Sequence, residues 1–176
     1  MAEEQIAAIP RTVSALIERD GAVLLVQEQA PGDLEPTWML PGGRVEDGEP
    51  PEAALRRELA EETGLRLVSL PRLAFSVTIS AMLDDLVGEW EALTYVCEVD
   101  GALAPADPDG LILSAAWVAR DEALASLEAV EWYDSAPLRA FLAGTSPSGS
   151  RYRYALTGRR GAATRSVVEL VGPNGT

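Results

Sequence analysis

Three glutamates fall within one turn of a predicted helix, and this feature constrains the chain more than any other. The helix is predicted over residues 51–63, because prolines stand at its start, acidic residues favour its N-terminal end and Gly64 can end it. The glutamates are spaced i, i+3 and i+4, as Glu58, Glu61 and Glu62. This spacing predicts that all three project from one face of the helix.

The apolar residues of the same helix, Leu55 and Leu59, are four positions apart and predict a buried stripe opposite the glutamates. Three like charges within one turn repel one another, and they repel more strongly if they are partly buried. Arg57 is one nearby cation, but one guanidinium cannot neutralise three carboxylates. A hard divalent cation is the natural additional counter-charge, and a solvated acidic helix face is the alternative.

The residues that precede these glutamates extend the pattern. From Gly43 to Leu65 the sequence reads GRVEDGEPPEAALRRELAEETGL. This segment resembles the Nudix box, G-x5-E-x7-R-E-U-x-E-E-x-G-U with U aliphatic, and every specified position matches. The preceding run Trp38-Met39-Leu40-Pro41-Gly42 resembles the family's usual approach to the box. The resemblance extends more loosely over residues 11–143.

The resemblance implies a role for each matching residue. Glu49 would pair with Arg57 and fix the loop on the helix, which is structural support. Glycines at 42 and 43 would let a main-chain carbonyl face a metal. The implied Mg²⁺ site, in which Mn²⁺ could substitute, comprises the Gly42 carbonyl, Glu58, Glu61, Glu62 and, as an auxiliary acid from a downstream loop, Asp109.

The family hydrolyses pyrophosphate bonds, typically in a nucleoside diphosphate linked to another group. Catalysis would fall to the three box glutamates, with Glu58 favoured as the base that takes a proton from the attacking water. The alternatives for that base lie outside the box, at Asp107, Asp109, Glu89 and Glu91.

Substrate contacts are implied at Arg44, which can approach a phosphate, and at Trp38, which can stack on a base. Other aromatic residues that could stack are Trp90, Tyr95 and Trp117.

Residues 80–83 lack the proline and tyrosine that mark two subfamilies, which favours a nucleoside triphosphate or a modified nucleotide as the substrate. The alternative function is a non-catalytic Nudix-fold module that binds a nucleotide or nucleotide sugar.

The charge balance excludes other classes of function. The chain of 176 residues has 14 basic and 28 acidic side chains and no histidine, for a net charge of −14. Such a chain repels a nucleic-acid backbone, and it cannot build catalysis or zinc binding on histidine. Its single cysteine, Cys97, excludes an internal disulfide and predicts a buried strand thiol. Without a signal peptide or a long apolar run, we expect a cytoplasmic protein that does not enter membranes.

The remaining pattern predicts an α+β fold, a Nudix-like mixed sheet sandwiched between helices, with a C-terminal β-hairpin-like tail. Strands are predicted over residues 12–27 around an Asp-Gly turn, and then over 73–83, 90–99 and 111–119. An acidic turn is predicted at 84–85, a turn at 41–43, and helices over 121–130 and 134–142.

A linker-like stretch, TSPSGS, separates a predicted domain of residues 1–145 from a tail of residues 146–176. The tail has five arginines and one acid, Glu169, whereas the preceding part has nine arginines and 27 acids. We consider three arrangements of this tail: docking on its own acidic domain, contact between the subunits of a homodimer, or covering of the substrate.

Overall fold

The computed structural model describes residues 9–83, 86–130, 135–159 and 162–172. The predicted turn at residues 84–85 lies outside these ranges, as does Asp134, the predicted first residue of the last helix. No helix in the described ranges is long and apolar enough to span a membrane.

The first part of the chain contains short strands and one helix. They are Arg11–Leu16 (β1), Glu18–Arg19 (β2), Ala22–Glu28 (β3), Thr37–Met39 (β4), Gly42–Arg44 (β5), Pro51–Thr63 (α1) and Arg66–Leu67 (β6). Longer strands follow, and a strand pair ends the chain. These elements are Arg72–Leu83 (β7), Leu86–Val96 (β8), Val99–Asp100 (β9), Ile112–Ala119 (β10), Arg120–Glu128 (α2), Ala136–Leu142 (α3), Ser150–Arg159 (β11) and Ala162–Val171 (β12).

Half of the strands in the described ranges form a large mixed sheet with the order β12-β11-β7-β8-β1-β5. Two pairs in this sheet are parallel, β1 with β8 and β11 with β7, and its other pairs are antiparallel. A second sheet joins β10, β3 and β2, with β4 also paired to β3. The predicted α+β class is therefore confirmed, and so is the C-terminal hairpin of β11 and β12.

Two groups of buried side chains pack the sheets and helices against one another. In the first group, β3 and β7 pack against α2, α3 and the tail strand β11, with Phe75, Leu127, Leu138 and Tyr152 among its members. In the second group, α1 packs against β1 and β8. Because β11 supplies side chains to the first group and pairs with β7, the tail is built into the large sheet.

Three local predictions can be compared with the structure: the Asp-Gly turn, the buried thiol of Cys97 and the turn at residues 41–43. Asp20 and Gly21 have positive φ angles of 51° and 79° and join β2 to β3, as the Asp-Gly signal predicts. Cys97 directly follows β8, and burial raises the pKa of its thiol to about 12. The turn predicted at 41–43 is wrong for Gly42 and Gly43, because these residues begin β5 and pair with β1.

Candidate functional site

The helix α1 begins and ends where its sequence allows. Pro51 occupies the first position, where a proline needs no N–H partner, and Pro50 before it is extended, with φ −66° and ψ 142°. Gly64 ends the helix in the left-handed conformation, φ 76°, and its N–H donates to the Ala60 carbonyl at 3.0 Å. These ends fix the register in which the helix presents its glutamates.

Glu62 lies at the edge of the buried face of α1. The prediction that all three glutamates lie opposite the leucine stripe is wrong for this residue, because it follows Leu59 by three positions and is only 8% exposed. Its Oε2 atom accepts a hydrogen bond of 2.7 Å from the Gly42 N–H. This bond ties the C-terminal half of α1 to the start of β5.

The surroundings of Glu62 oppose its negative charge. Burial raises the pKa of Glu62 to about 8; the Gly42 hydrogen bond lowers it, but the charges of Glu58, Glu28 and Asp107 raise it further. The principal charges that act on this carboxylate are therefore all negative. A cation placed between these carboxylates would reverse the balance.

Arg57 organises the outer side of the carboxylate platform, the segment of residues 42–64 that contains β5 and α1. Its Nε and Nη2 atoms donate to the two carboxylate oxygens of Glu49 at 3.2 and 3.0 Å. Its Nη1 atom donates to Glu58 at 2.8 Å and to Glu61 at 3.5 Å, and Nη2 also donates to the Arg44 carbonyl at 3.0 Å. One planar guanidinium thus joins the loop to the helix.

The Glu58 carboxylate lies directly against Gly43. A Cβ atom on Gly43 would overlap the Glu58 carboxylate. Burial raises the pKa of Glu58, although the hydrogen bond and charge of Arg57 oppose that rise. A larger residue at this position would have to displace the Glu58 carboxylate from its present place.

The loop before β10 lies along the end of α1, where the Ala106 N–H donates to the Glu61 carbonyl at 2.8 Å. Asp107 folds this loop, since its oxygens accept hydrogen bonds from the N–H groups of Asp109, Leu111 and Ile112 at 3.1, 2.7 and 3.0 Å. Burial opposes ionisation, but these bonds hold the pKa of Asp107 below its usual value. The ligand role of Asp109 stays a prediction.

A cleft of about 270 Å³ opens next to Gly42 and Gly43. Its walls are mostly apolar or aromatic and its floor has hydroxyl groups; the lining includes Thr12, Ser14, Glu28, Met39, Leu40, Phe75, Val77, Ile79, Trp90, Ala92, Thr94 and Tyr154.

Among the aromatic residues considered from the sequence, Trp90 lines this cleft. Trp38 packs against the first core group, Tyr95 is buried in the second, and Trp117 lies under the Arg19 guanidinium at 4.5 Å. The side chain of Arg44 is exposed at the end of β5. The roles of Trp38 and Arg44 in substrate binding stay predictions.

Glu28, the last residue of β3, belongs to none of the sequence motifs that point to the site. Glu28 lines the cleft, and burial together with the charges of Asp33 and Asp107 raises its pKa. A signal was available, because Glu28 follows the apolar run of residues 22–26 almost directly, where a strand leaves the core. Sequence alone could not show that Glu28 lies near enough to Glu62 for its charge to raise the pKa of Glu62.

The donor set of the platform suits a divalent cation, because carboxylate and carbonyl oxygens are the ligands that Mg²⁺ prefers. Within the described ranges, however, no three acidic, cysteine or histidine side chains are already gathered around one point. Glu58 is held by Arg57, and Glu62 is held by the Gly42 N–H. A cation bound here would therefore draw Glu58 and Glu62 together.

Known proteins resemble this chain in sequence. A family model described as NUDIX domain matches residues 8–141. A putative 8-oxo-dGTP diphosphatase 2 of Mycobacterium tuberculosis is 48% identical over 58 residues, which are 33% of this chain and 41% of that protein. The CTP pyrophosphohydrolase of Escherichia coli is 49% identical over 53 residues, 30% of this chain and 39% of that protein. The chain thus matches about two fifths of the length of these curated relatives.

The fold has a solved counterpart. The crystal structure of a mutator MutT protein from Bacillus halodurans matches with a TM-score of 0.66, covering 91% of this chain and 98% of that chain. The two sequences are 22% identical, so this likeness concerns the fold alone.

Proposed function

Because the chain belongs to the NUDIX family, whose model covers residues 8–141, we propose that it is a Mg²⁺-dependent pyrophosphohydrolase of nucleotides. The observation that carries this proposal is the buried carboxylate of Glu62. It is 8% exposed and lies among the negative charges of Glu58, Glu28 and Asp107. Such a carboxylate is costly to bury as an anion unless a cation compensates it.

In this proposal Glu58, Glu62 and the Gly42 carbonyl hold the ion, with Glu61 as a further ligand. Bound there, Mg²⁺ would neutralise charge on the phosphate oxygens and lower the pKa of the attacking water. Asp109 keeps its place as a candidate auxiliary ligand, because Asp107, the other acid of the same loop, already accepts several backbone hydrogen bonds.

Glu58 is the proposed general base. Burial raises its pKa in the absence of the ion, and a base is most effective when its pKa is near the working pH. Its hydrogen bond to Arg57 holds one carboxylate oxygen at a fixed position. The oxygen that accepts this bond has a second lone pair that can bind the ion, which would leave the other oxygen to take a proton from water.

The proposed substrate is a nucleoside triphosphate or a modified nucleotide. Two relatives support this choice, because their names describe an 8-oxo-dGTP diphosphatase and a CTP pyrophosphohydrolase. The apolar cleft beside the platform gives a base a place next to the phosphate chain.

A hydrolysis panel tests the proposal. Canonical and oxidised nucleoside triphosphates, ADP-ribose, nucleotide sugars and dinucleoside polyphosphates are incubated with Mg²⁺ or with a chelator, and the products are identified. We expect pyrophosphate cleavage of at least one nucleoside triphosphate that stops when the metal is removed. Tight binding of one compound without cleavage of any would favour the non-catalytic binding module.

A further inference from the structure

One wall of the cleft comes from outside the family domain. The family model ends at residue 141, whereas Tyr154 lies on β11 and lines the cleft. The strand β11 reaches this position because it pairs in parallel with β7, where Tyr154 is opposite Ile79. The C-terminal hairpin is therefore placed beside the proposed substrate.

The pairing registers show how this wall is built. Ile79 on β7 is opposite both Tyr154 on β11 and Trp90 on β8. Residues opposite one another across a sheet share a face, so these three side chains form one row. The row places an aromatic ring at each end and an aliphatic side chain between them.

The floor of the cleft is made of smaller, partly polar side chains. Thr94 is opposite Ser14 on β1. Two residues earlier along each of these strands, Ala92 is opposite Thr12. Thr94 is only 5% exposed, and its hydroxyl has no hydrogen-bond partner within the described ranges. A buried hydroxyl without a partner is unfavourable, so a ligand with a polar edge would gain by meeting it.

The strand β11 is held firmly in this position. The rings of Tyr152 and Tyr154 are parallel, with centroids 6.4 Å apart. The Tyr152 hydroxyl donates to the Ser146 hydroxyl at 2.8 Å, and the Gly149 N–H donates to the Ala74 carbonyl at 2.8 Å. The segment predicted to be a linker thus turns the chain and fixes β11 against β7.

We propose that the C-terminal hairpin completes a nucleobase pocket, with Tyr154 and Trp90 as its aromatic walls and the Thr94 hydroxyl as a group that contacts the polar edge of the base. This inference rests on the proposed function, because it assigns the part of that substrate which enters the cleft. Tyr154 and Thr94 are then specificity-determining residues.

A base suits this cleft better than a phosphate does. A cleft of about 270 Å³ is slightly smaller than the usual ligand site of roughly 300–1,000 Å³, so it suits one part of a nucleotide. Its one charged lining residue within the described ranges is Glu28, an acid that disfavours a phosphate. Aromatic rings stack on bases of any sequence, and the hydroxyl supplies a directional contact. The phosphate chain would then point toward Gly42 and the platform.

The test compares ligands with and without a base. Each protein is titrated, in the presence of Mg²⁺, with a methylene-bridged nucleoside triphosphate and with the matching ribose triphosphate that lacks the base. Hydrolysis of the natural nucleoside triphosphate and of ribose triphosphate is measured in parallel. The variants are Tyr154→Ala, Tyr154→Leu and Thr94→Val, and Thr157→Ala, an exposed position on the same strand, is the control.

We expect Tyr154→Ala to weaken binding of the nucleotide by about tenfold or more, and Thr94→Val to weaken it by roughly threefold to tenfold. Binding of ribose triphosphate should be unchanged, because it does not enter the cleft. Tyr154→Leu preserves the apolar bulk of the side chain and removes its aromatic ring, so it should show the same selective loss of nucleotide binding. It replaces Tyr154→Ala in the test if that variant does not fold.

Equal losses for both ligands, or no loss for either, would overturn the nucleobase pocket even if the wild-type protein hydrolyses nucleotides. Conversely, selective loss of nucleotide binding without any wild-type hydrolysis would support the pocket and reject the proposed enzyme. The two proposals can therefore fail separately.

Discussion

The carboxylate platform, residues 42–64, and the C-terminal hairpin both reach the cleft, but different kinds of contact build them. Within the platform, Arg57 bonds Glu49 eight positions away and Gly42 bonds Glu62 twenty positions away. The hairpin depends on β11 pairing with β7, where Ser150 is opposite Phe75. The contacts of the platform thus lie within one contiguous segment of the sequence, whereas the position of the hairpin depends on the tertiary fold.

This difference suggests a division of tasks. The platform holds the charges that the proposed metal and phosphate chemistry needs, and the hairpin shapes the space for the rest of the substrate. Changes in the platform should therefore alter turnover with any substrate, and changes in the hairpin should alter selectivity or stability. The predictions below test each side of this division.

The largest effect is expected from Glu62→Gln, which retains the shape of the side chain and removes its charge. We expect turnover of the best substrate to fall by roughly a hundredfold or more, because an electrostatic group at the reacting centre is lost. Glu52→Gln removes the same charge from an exposed position of the same helix, and should retain activity. Equal activity of the two variants would reject the proposed role of Glu62.

The second prediction concerns stability without metal. The pKa of Glu62 is about 8 in the folded protein against an ordinary value of 4.5, so between these values the folded state binds more protons than the unfolded state. The free energy of unfolding should therefore fall as pH rises from 5 to 8, by about 2–4 kcal/mol. Urea unfolding in the presence of a chelator measures this change.

Glu62→Gln should remove most of this pH dependence, and Glu52→Gln should retain it. Asp107, whose pKa is lowered, stays ionised over this range in both states and does not contribute. A slope that is the same in wild type and Glu62→Gln would show that Glu62 is not the group responsible.

The third prediction sharpens the view that Arg57 positions the platform. Its guanidinium reaches Glu49, Glu58 and a main-chain carbonyl at once, which a lysine ammonium cannot do. Arg57→Lys should lower turnover or metal affinity by about 10–100-fold, as is usual when a ligand loses its supporting contact. Arg56→Lys is the matched control at an exposed neighbouring position. If Arg57 positions the platform, the Mg²⁺ concentration that gives half-maximal activity should rise in Arg57→Lys and stay unchanged in Arg56→Lys. An unchanged value in both variants would contradict this role.

The smallest effect is expected at the anchor of the hairpin. Tyr152→Phe loses the hydrogen bond to Ser146, which should lower the free energy of unfolding by about 1 kcal/mol. A double-mutant cycle with Ser146→Ala isolates this term. Turnover of ribose triphosphate should not change. Strict additivity of the two substitutions would show that the bond does not hold β11 in place.

The sequence predicts the platform well because its determinants are local. Prolines and Gly64 set the ends of α1, and the resemblance to the Nudix box implies the contact of Glu49 with Arg57 that the structure contains. The burial of Glu62 is missed, because its spacing from Glu58 and Glu61 predicts a place on the face opposite the leucines. At this position the tertiary contact with Gly42 outweighs polarity.

Residues of the cleft are harder to predict from the sequence. The tail is readable as a hairpin, because alternating runs flank a Gly-Arg-Arg-Gly turn. The parallel pairing of β11 with β7 cannot be predicted in this way, since no local signal selects one sheet edge over another. Tyr154, Thr94 and Glu28 become neighbours of one cleft only after the two sheets have packed.

Calorimetric titration of the metal-free protein with Mg²⁺ at pH 7 tests the central claim most directly. Repeating the titration in two buffers of different ionisation enthalpy also counts the protons released. The wild-type protein should bind the ion and release up to about one proton, because Glu62 has a pKa near 8 before binding. Glu62→Gln should lose both signals, and Glu52→Gln should retain them. Mg²⁺ binding of unchanged affinity in Glu62→Gln, or none in the wild type, would contradict the account.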